Sequence, residues 1–315
     1  MQLFNIFKYF SDSILNVLEE YFRKEANPTQ YISLEEIRLR NAEPVILKFN
    51  SSEVVLNYIV SSNDILQTLQ KICENSIYSY QNQICNGFIT IKGGHRVGIV
   101  GNVVMQNGKI TNINYISSLN FRIARQIKGA STKILRYVLN IENNSIYNTL
   151  IVSIPGAGKT TILRDLVRKI SNGVEEINFK GITVGVVDER GEIAAMYKGM
   201  AQNEVGIRTD VMCNVPKSIG IKMLIRSMAP NVIVADEIGS KEDTEAIFEA
   251  SCSGVKGIFT AHGGNLGDIL SNKSLNDLLK FHIIERIIIL SSDMQKRNIE
   301  KVYGLNKMNS EYIIF

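Results

Sequence analysis

The stretch IVSIPGAGKTT, residues 151–161, limits what this chain can fold into more than any other. An apolar strand, a glycine-bearing loop and a helix form the setting in which a G-x-x-x-x-G-K-[ST] loop cradles phosphate. Gly158, Lys159 and Thr160 supply the last three positions of that pattern, and Ser153 stands where the first glycine is usual. Backbone N–H groups of such a loop converge on phosphate, and the dipole of the following helix adds positive potential. Lys159 is then a point charge for the β- and γ-phosphates, and Thr160 offers a hydroxyl to Mg²⁺. The backbone must approach the phosphate at Gly156 and Gly158. Ser153 lies at the strand exit, where a small serine is tolerated unless the position demands a positive φ. The candidate nucleotide-binding residues are therefore Ser153, Gly156, Ala157, Gly158, Lys159, Thr160 and Thr161.

From residue 149 onward the pattern is strand, loop, helix, repeated: TLIVSI, a helix at 160–171, ITVGVVD, a long irregular stretch, NVIVAD, a helix at 241–253, and GIFTAH. Short unbroken apolar strands between helices predict an α/β domain whose parallel sheet is buried on both faces. Such sheets bind ligands outside the carboxyl ends of their strands. NVIVADEIG ends a strand in Asp236 and Glu237, an acidic pair expected to lie beside the phosphate loop. One carboxylate of such a pair can orient Mg²⁺ through water, and the next can polarise the attacking water. VVDERGEI brings Asp188, Glu189 and Glu192 to the same rim, and GIFTAHGG brings Thr260 and His262, placed to sense a γ-phosphate.

Residues 1 to about 118 read as a smaller α+β region. Helical periods cover 10–24 and 64–80, and Leu3, Phe4, Phe7, Phe10, Ile14, Leu15, Leu18 and Phe22 fit one face of an N-terminal helix. Two hairpins follow, turning at Gly93-Gly94 and at Asn107-Gly108. His95 reads as a turn residue. A short helix covers 132–140, and the domain boundary falls near 118–130, dividing the chain into 1–120 and 121–315.

Composition removes several classes. Apolar residues make up 45% of the 315-residue chain, enough for packed cores. The net charge of +4 comes without any run of five like charges, so there is no strong nucleic-acid signal. Cys73, Cys85, Cys213 and Cys252 lack zinc-ligand spacing and read as free thiols. Three histidines cannot support a His-rich metal site. The N-terminus has no signal-peptide cleavage site, and no stretch of about 20 apolar residues could span a bilayer.

The order of these motifs, from the phosphate loop through VVDERGEI, GIRTDV, PKSIGIKMLIRSMAPNVIVADEIGSKEDTEAI and TAHG, with GGHRVGIVGN upstream, resembles the stage III sporulation protein AA family of endospore-forming bacteria. More distantly it is similar to the ATPases of type II and type IV secretion and pilus systems. The resemblance implies a RecA-like P-loop core with ATP and Mg²⁺ as cofactors. It implies a homo-oligomer, a hexameric ring being the expectation, in which hydrolysis moves the two domains relative to each other. It assigns Glu237 as the catalytic glutamate and leaves Asp236, where secretion ATPases have glycine, as a Mg²⁺ partner beside Thr160. Glu192, with Asp188 and Glu189, matches the acidic box of those enzymes, and His262 their histidine box. An arginine of the N-terminal domain completes a neighbouring site there; Arg122 and Arg125 are the candidates, pointing to opposite faces if their segment is extended, with Arg208 and Arg226 as further candidates. The family implies a cytoplasmic motor in the mother cell, peripheral to the membrane through protein partners of a channel to the forespore.

Two other readings stay open. RecA-like cores also drive nucleic-acid motors, for which strong salt-sensitive stimulation by single strands would speak. An ATP-dependent assembly scaffold with little turnover would leave Glu237 without a catalytic part. A small-molecule kinase is disfavoured, since no lid with clustered arginines follows the loop.

Overall fold

The computed structural model describes residues 4–24, 33–50, 52–291, 299–306 and 311–315. They form two compact units, Met1–Arg125 with Ala195–Gln202, and Gln126–Ala194 with Asn203–Phe315.

The first unit is built on an antiparallel sheet of β1 (Leu34–Arg40), β2 (Pro44–Phe49), β3 (Glu53–Ile59), β4 (Phe88–Thr90), β5 (Arg96–Gln106) and β6 (Lys109–Arg122), in the order β3-β2-β1-β6-β5-β4. Both hairpin turns fall where the glycines place them. Gly93 and Gly94 (φ 91° and 77°) join β4 to β5, and Asn107 and Gly108 (φ 51° and 73°) join β5 to β6. The single N-terminal helical face is broken in two. A short helix at Phe4–Phe7 stops, and α1 (Asp12–Lys24) starts afresh after Ser11, whose hydroxyl donates to the buried Asp64 at 2.7 Å. The apolar period survives the break: Phe7, Phe10, Ile14, Leu18 and Phe22 are buried, and Leu15 is half-buried. Leu3 lies outside the described residues. The helix expected over 64–80 also ends early. α2 (Ser62–Ile72) opens on a Ser61–Asp64 capping box and is terminated by Glu74 and Asn75, both at positive φ, before a 3-10 turn at Ile77–Tyr80. His95 is buried and its Nδ1 accepts the Ala124 N–H at 3.0 Å; burial pushes its pKa down to about 4, so it packs as a neutral ring.

The second unit carries a sheet of β7 (Thr149–Ser153), β8 (Val184–Asp188), β9 (Thr209–Cys213), β10 (Val232–Ala235), β11 (Lys256–His262), β12 (Arg286–Leu290), β13 (Ile299–Asn306) and β14 (Glu311–Ile314), in the order β9-β8-β10-β11-β7-β12-β13-β14. The strands from β9 to β12 pair in parallel, while β13 and β14 extend the sheet antiparallel. The helices are α3 (Lys159–Asn172), α4 (Lys217–Met228) and α5 (Lys241–Cys252), with shorter ones at Leu266–Ser271 and Lys273–Lys280. Every residue of β7, β8 and β10 is buried, as two-sided burial of a parallel sheet requires. The stretch read as irregular after β8 in fact holds β9 and α4. β9 is only half-buried along its length, and Gly220 interrupts the apolar period of α4. That glycine is needed, because a Cβ there would come within 2.5 Å of Val187 on β8.

Asp165 anchors α3 to the segment that leads into this unit. Its carboxylate accepts the Ser131 N–H at 2.9 Å and the Ser131 hydroxyl at 2.7 Å, and it pairs with Arg168 at 2.7 Å. Burial alone would raise its pKa, but these hydrogen bonds outweigh burial and hold it at about 2. A folded pKa below the unfolded value contributes stability above about pH 4, lost as pH falls towards 2. Asp165→Asn is therefore expected to cost about 2 kcal/mol near neutrality, or about 5 °C in Tm. The gap to the parent, followed by thermal melts, should close below pH 3; a gap independent of pH would show that the charge is not what matters.

Candidate functional site

The phosphate loop is built by a change of backbone conformation at the end of β7. Gly156 and Gly158 take φ of 81° and 90°, values open to glycine at no steric cost, and Gly158 is the N-cap of α3. That cap has no side-chain hydrogen bond, and the first turn contains no acidic residue, so the N–H groups opening a 14-residue helix are left for an anion. Ser153 is buried as the last residue of β7 and is absent from the positive-φ positions, so this corner makes no demand for glycine. Ala157 is buried under the loop, and Thr160 and Thr161 are half-buried in the first turn of α3.

Lys159 is almost fully buried. Its Nζ donates to the Ser153 carbonyl at 2.9 Å and the Ile154 carbonyl at 3.3 Å, and lies 3.2 Å from the Ser153 hydroxyl and 3.3 Å from His262 Nδ1. Burial lowers its pKa, opposed by the charges of Asp236 and Glu237.

Sheet order decides what faces the loop. One neighbour of β7 is β11, with His262 in register with Ser153, and β10 with its acidic pair lies one strand further out. Two threonines bridge the gap. Thr160 donates to Asp236 Oδ2 at 2.5 Å, and Thr260 on β11 donates to Asp236 Oδ1 while accepting the Glu237 N–H at 2.7 Å. Burial raises the pKa of Asp236, the threonine hydrogen bonds oppose this, and the neighbouring Glu237 and Glu192 push it further up. Glu237 itself has φ 53°, a conformation costing a non-glycine residue about 1–3 kcal/mol. The Thr260 hydrogen bond holds it there, and the Ser240–Asp243 capping box starts α5 three residues on. The Glu237 carboxylate is then engaged from two sides, by His262 Nε2 at 3.1 Å and by Arg190. The hydrogen bonds require one tautomer of His262: Nδ1 accepts from Lys159 and Nε2–H donates to Glu237.

The acidic box divides its labour. Asp188 is buried and accepts the N–H groups of Glu192, Ile193 and Ala194 at 2.7, 3.1 and 2.8 Å, which makes it a loop clamp. Glu189 pairs with Lys217 of α4. Glu192 lines a small cleft with Arg190, Lys217, Asp236 and Glu237. Arg164 of α3 donates to the carbonyls of Glu192 (2.6 Å) and Ile193 (3.0 Å), tying this loop to the helix that follows the phosphate loop.

The arginine candidates fall elsewhere. Arg208 donates to the Ser171 carbonyl at 2.9 Å, near the end of α3 opposite the phosphate loop, which removes it as a γ-phosphate contact within the chain. Arg226 lines a groove between α4 and α5. Arg122 is exposed at the end of β6, and Arg125 is engaged by the Leu34 carbonyl and by Asn50 (3.3 Å); both belong to the first unit. The arginine that does reach the acidic pair, Arg190, was not singled out from sequence. It sits inside DERGE, where its charge looks cancelled by its acidic neighbours.

The residues present fit a magnesium nucleotide. Among the described residues no group of three His, Cys, Asp or Glu could cage a metal. Mg²⁺ on a nucleotide needs no such cage, being held by one or two protein oxygens and the phosphates. Thr160 and Asp236 supply those oxygens.

Known proteins resemble this chain in sequence and in fold. The family model described as "Sporulation stage III, protein AA" matches residues 5–309. The chain is 38% identical over 295 residues to "Stage III sporulation protein AA" of Bacillus subtilis (strain 168), covering 93% of this chain and 94% of that one. Among solved structures, the ATPase DotB of Legionella pneumophila superposes with a TM-score of 0.57 at 15% identity, over 89% of this chain and 79% of that one. The pilus retraction motor PilT, solved with bound ADP, superposes with a TM-score of 0.55 at 14% identity, over 88% and 78% of the two chains. At such identities the likeness speaks for the fold, a RecA-like P-loop core.

Proposed function

The chain belongs to the sporulation stage III, protein AA family, and from that premise we propose that it is an ATP hydrolase working as a ring-type motor. What supports this reading above all is one imidazole. His262 holds Lys159 Nζ on one ring nitrogen at 3.3 Å and the Glu237 carboxylate on the other at 3.1 Å, so the phosphate grip and a candidate base are one side chain apart.

In this reading Lys159 and the open N–H groups of α3 hold the β- and γ-phosphates. Thr160 and Asp236 hold Mg²⁺, which when bound neutralises phosphate charge. Glu237 orients the attacking water and takes its proton, and His262 fixes which carboxylate oxygen faces the phosphate. Glu192 adds negative charge beside Asp236. An arginine from a neighbouring copy, Arg122 or Arg125, completes the site, so that copies close into a hexameric ring. No described helix is long and apolar enough to cross a membrane. Membrane proteins of a sporulation channel, reached from the mother-cell cytoplasm, are the partners we assign to it from the family it belongs to.

A site completed in trans makes activity depend on assembly. Specific ATPase activity is expected to rise at least about tenfold as protein concentration passes through the assembly range, with Lys159→Ala silent throughout. Turnover independent of concentration would rule out the ring, and strong salt-sensitive stimulation by single-stranded DNA would favour the nucleic-acid motor.

A further inference from the structure

The loop after β8 leaves the acidic rim, makes an excursion and returns. Ala195–Gln202 belongs to the first unit, while Ala194 and Asn203 belong to the second. The neck of the excursion is closed: Asn203 N donates to the Ala194 carbonyl at 3.1 Å, and Asn203 Nδ2 donates to the Ile193 carbonyl at 2.8 Å. Loops whose ends are held this close are compact units on the surface. At the tip, Tyr197 and Met200 exchange hydrogen bonds of 2.9 and 3.0 Å around Lys198 and Gly199, which take φ of 49° and 77°, the signature of a tight type I′ turn. Within the first unit the tip is fastened twice. Tyr197 and Lys198 both engage the Glu74 carboxylate, and Gln202 accepts the Gly93 N–H at 2.8 Å.

The neck is also fastened to the rim. Asp188 takes three N–H groups of 192–194, and Arg164 takes the carbonyls of Glu192 and Ile193. Arg190 stands between these clamps, on the same short loop, and reaches Glu237. A continuous set of polar contacts therefore runs from Lys159 through His262 and Glu237 to Arg190, and from there along four residues of chain to the excursion. Coupling between sites travels through such packed and hydrogen-bonded sets where an element can take two arrangements.

We infer that Arg190 is a positioning residue that ties the Glu237 carboxylate to the neck of the Ala195–Gln202 excursion. Through it, a nucleoside triphosphate gripped by Lys159 is read out within the first unit. This rests on the nucleotide reading above but adds a path that reading does not contain. Lys159 has two carbonyls, a hydroxyl and His262 as partners. Drawing its ammonium towards phosphate takes a charge away from His262, and a change at His262 is felt at Oε1 of the Glu237 carboxylate, whose Oε2 pairs with Arg190. Arg190 then either keeps that pair or yields it, and the clamped neck carries the difference.

Hydrogen exchange with and without saturating Mg²⁺–ATPγS tests this, with nucleotide affinity measured in parallel. In the parent, peptides over 153–163 should be protected, and the exchange rate of 195–202 should change by about tenfold, the ordinary size of a coupling between sites. In Arg190→Ala, an exposed position whose loss should leave the fold intact, affinity should stay within about threefold and 153–163 should still be protected, but the change at 195–202 should vanish. Arg190→Lys should restore part of it, since charge returns without the guanidinium fork. An undiminished response at 195–202 in Arg190→Ala, or no response there in the parent despite protection at 153–163, would overturn the inference. Absence of protection at 153–163 itself would instead defeat the nucleotide reading.

Discussion

Glu237→Gln should release phosphate about 10²–10⁴-fold more slowly than the parent, the range a positioned general base contributes, while binding nucleotide within about threefold as tightly. The side chain keeps its size, and its amide oxygen can still accept from Arg190 or from His262 Nε2–H, whose hydrogen bonds now hold it. What it loses is the ability to take a proton. The backbone at 237 is held by the Thr260 hydroxyl and not by the carboxylate, so the φ of 53° and the start of α5 should survive the change. Thermal melts should therefore shift little. Steady-state phosphate release together with equilibrium nucleotide titration separates the cases. A slower enzyme with unchanged affinity is the expected outcome, and equal rates would remove Glu237 from catalysis and favour a scaffold with negligible turnover.

Lys159→Ala acts one step earlier. Its ammonium is buried, and burial already disfavours its charge. Such a charge is kept only where an anion repays its desolvation. Truncating one side of a buried, hydrogen-bonded charge pair costs about 2–5 kcal/mol, so nucleotide affinity should fall by at least about 30-fold. Stability should change much less, because the lost hydrogen bonds to the carbonyls of Ser153 and Ile154 are offset by the relief of burying a cation. Isothermal titration with the nucleotide reads the affinity. Unchanged affinity in Lys159→Ala would mean that nucleotide binds somewhere other than this loop.

Much of the second unit was legible because its strands are unbroken apolar runs that end in chemistry. TLIVS, VGVVD, VIVA and KGIFTAH each become a buried parallel strand, and the loop glycines stand where the backbone turns left-handed. Strand order was not legible, since nothing local in NVIVADEIG states that β11 lies between it and the phosphate loop. Only the assembled sheet puts Thr260 and His262 into that gap. β9 and α4 were missed for a physical reason, the half-burial of one and the close-packing glycine of the other. Polar residues were the hardest to assign. Asp188 and Glu192 look alike in DERGEI, yet one is a buried clamp for three N–H groups and the other lines the cleft. Arg208 looked eligible for phosphate and instead braces the far end of α3, whereas Arg190 was hidden by its acidic neighbours. In the first unit, periodicity found the apolar face of the N-terminal helix but not the break after Phe7, which depends on Ser11 meeting Asp64 and Thr68 from a distant helix.

The placement of a bound nucleotide is the most direct test of the central claim. A crystal structure of Glu237→Gln grown with Mg²⁺ and ATP should show the β-phosphate inside the loop before α3. Lys159 Nζ should lie about 3 Å from a phosphate oxygen, Thr160 on the metal, and the γ-phosphate turned towards residue 237 and His262. A nucleotide seated away from this loop, or a γ-phosphate pointing away from residue 237, would contradict the account.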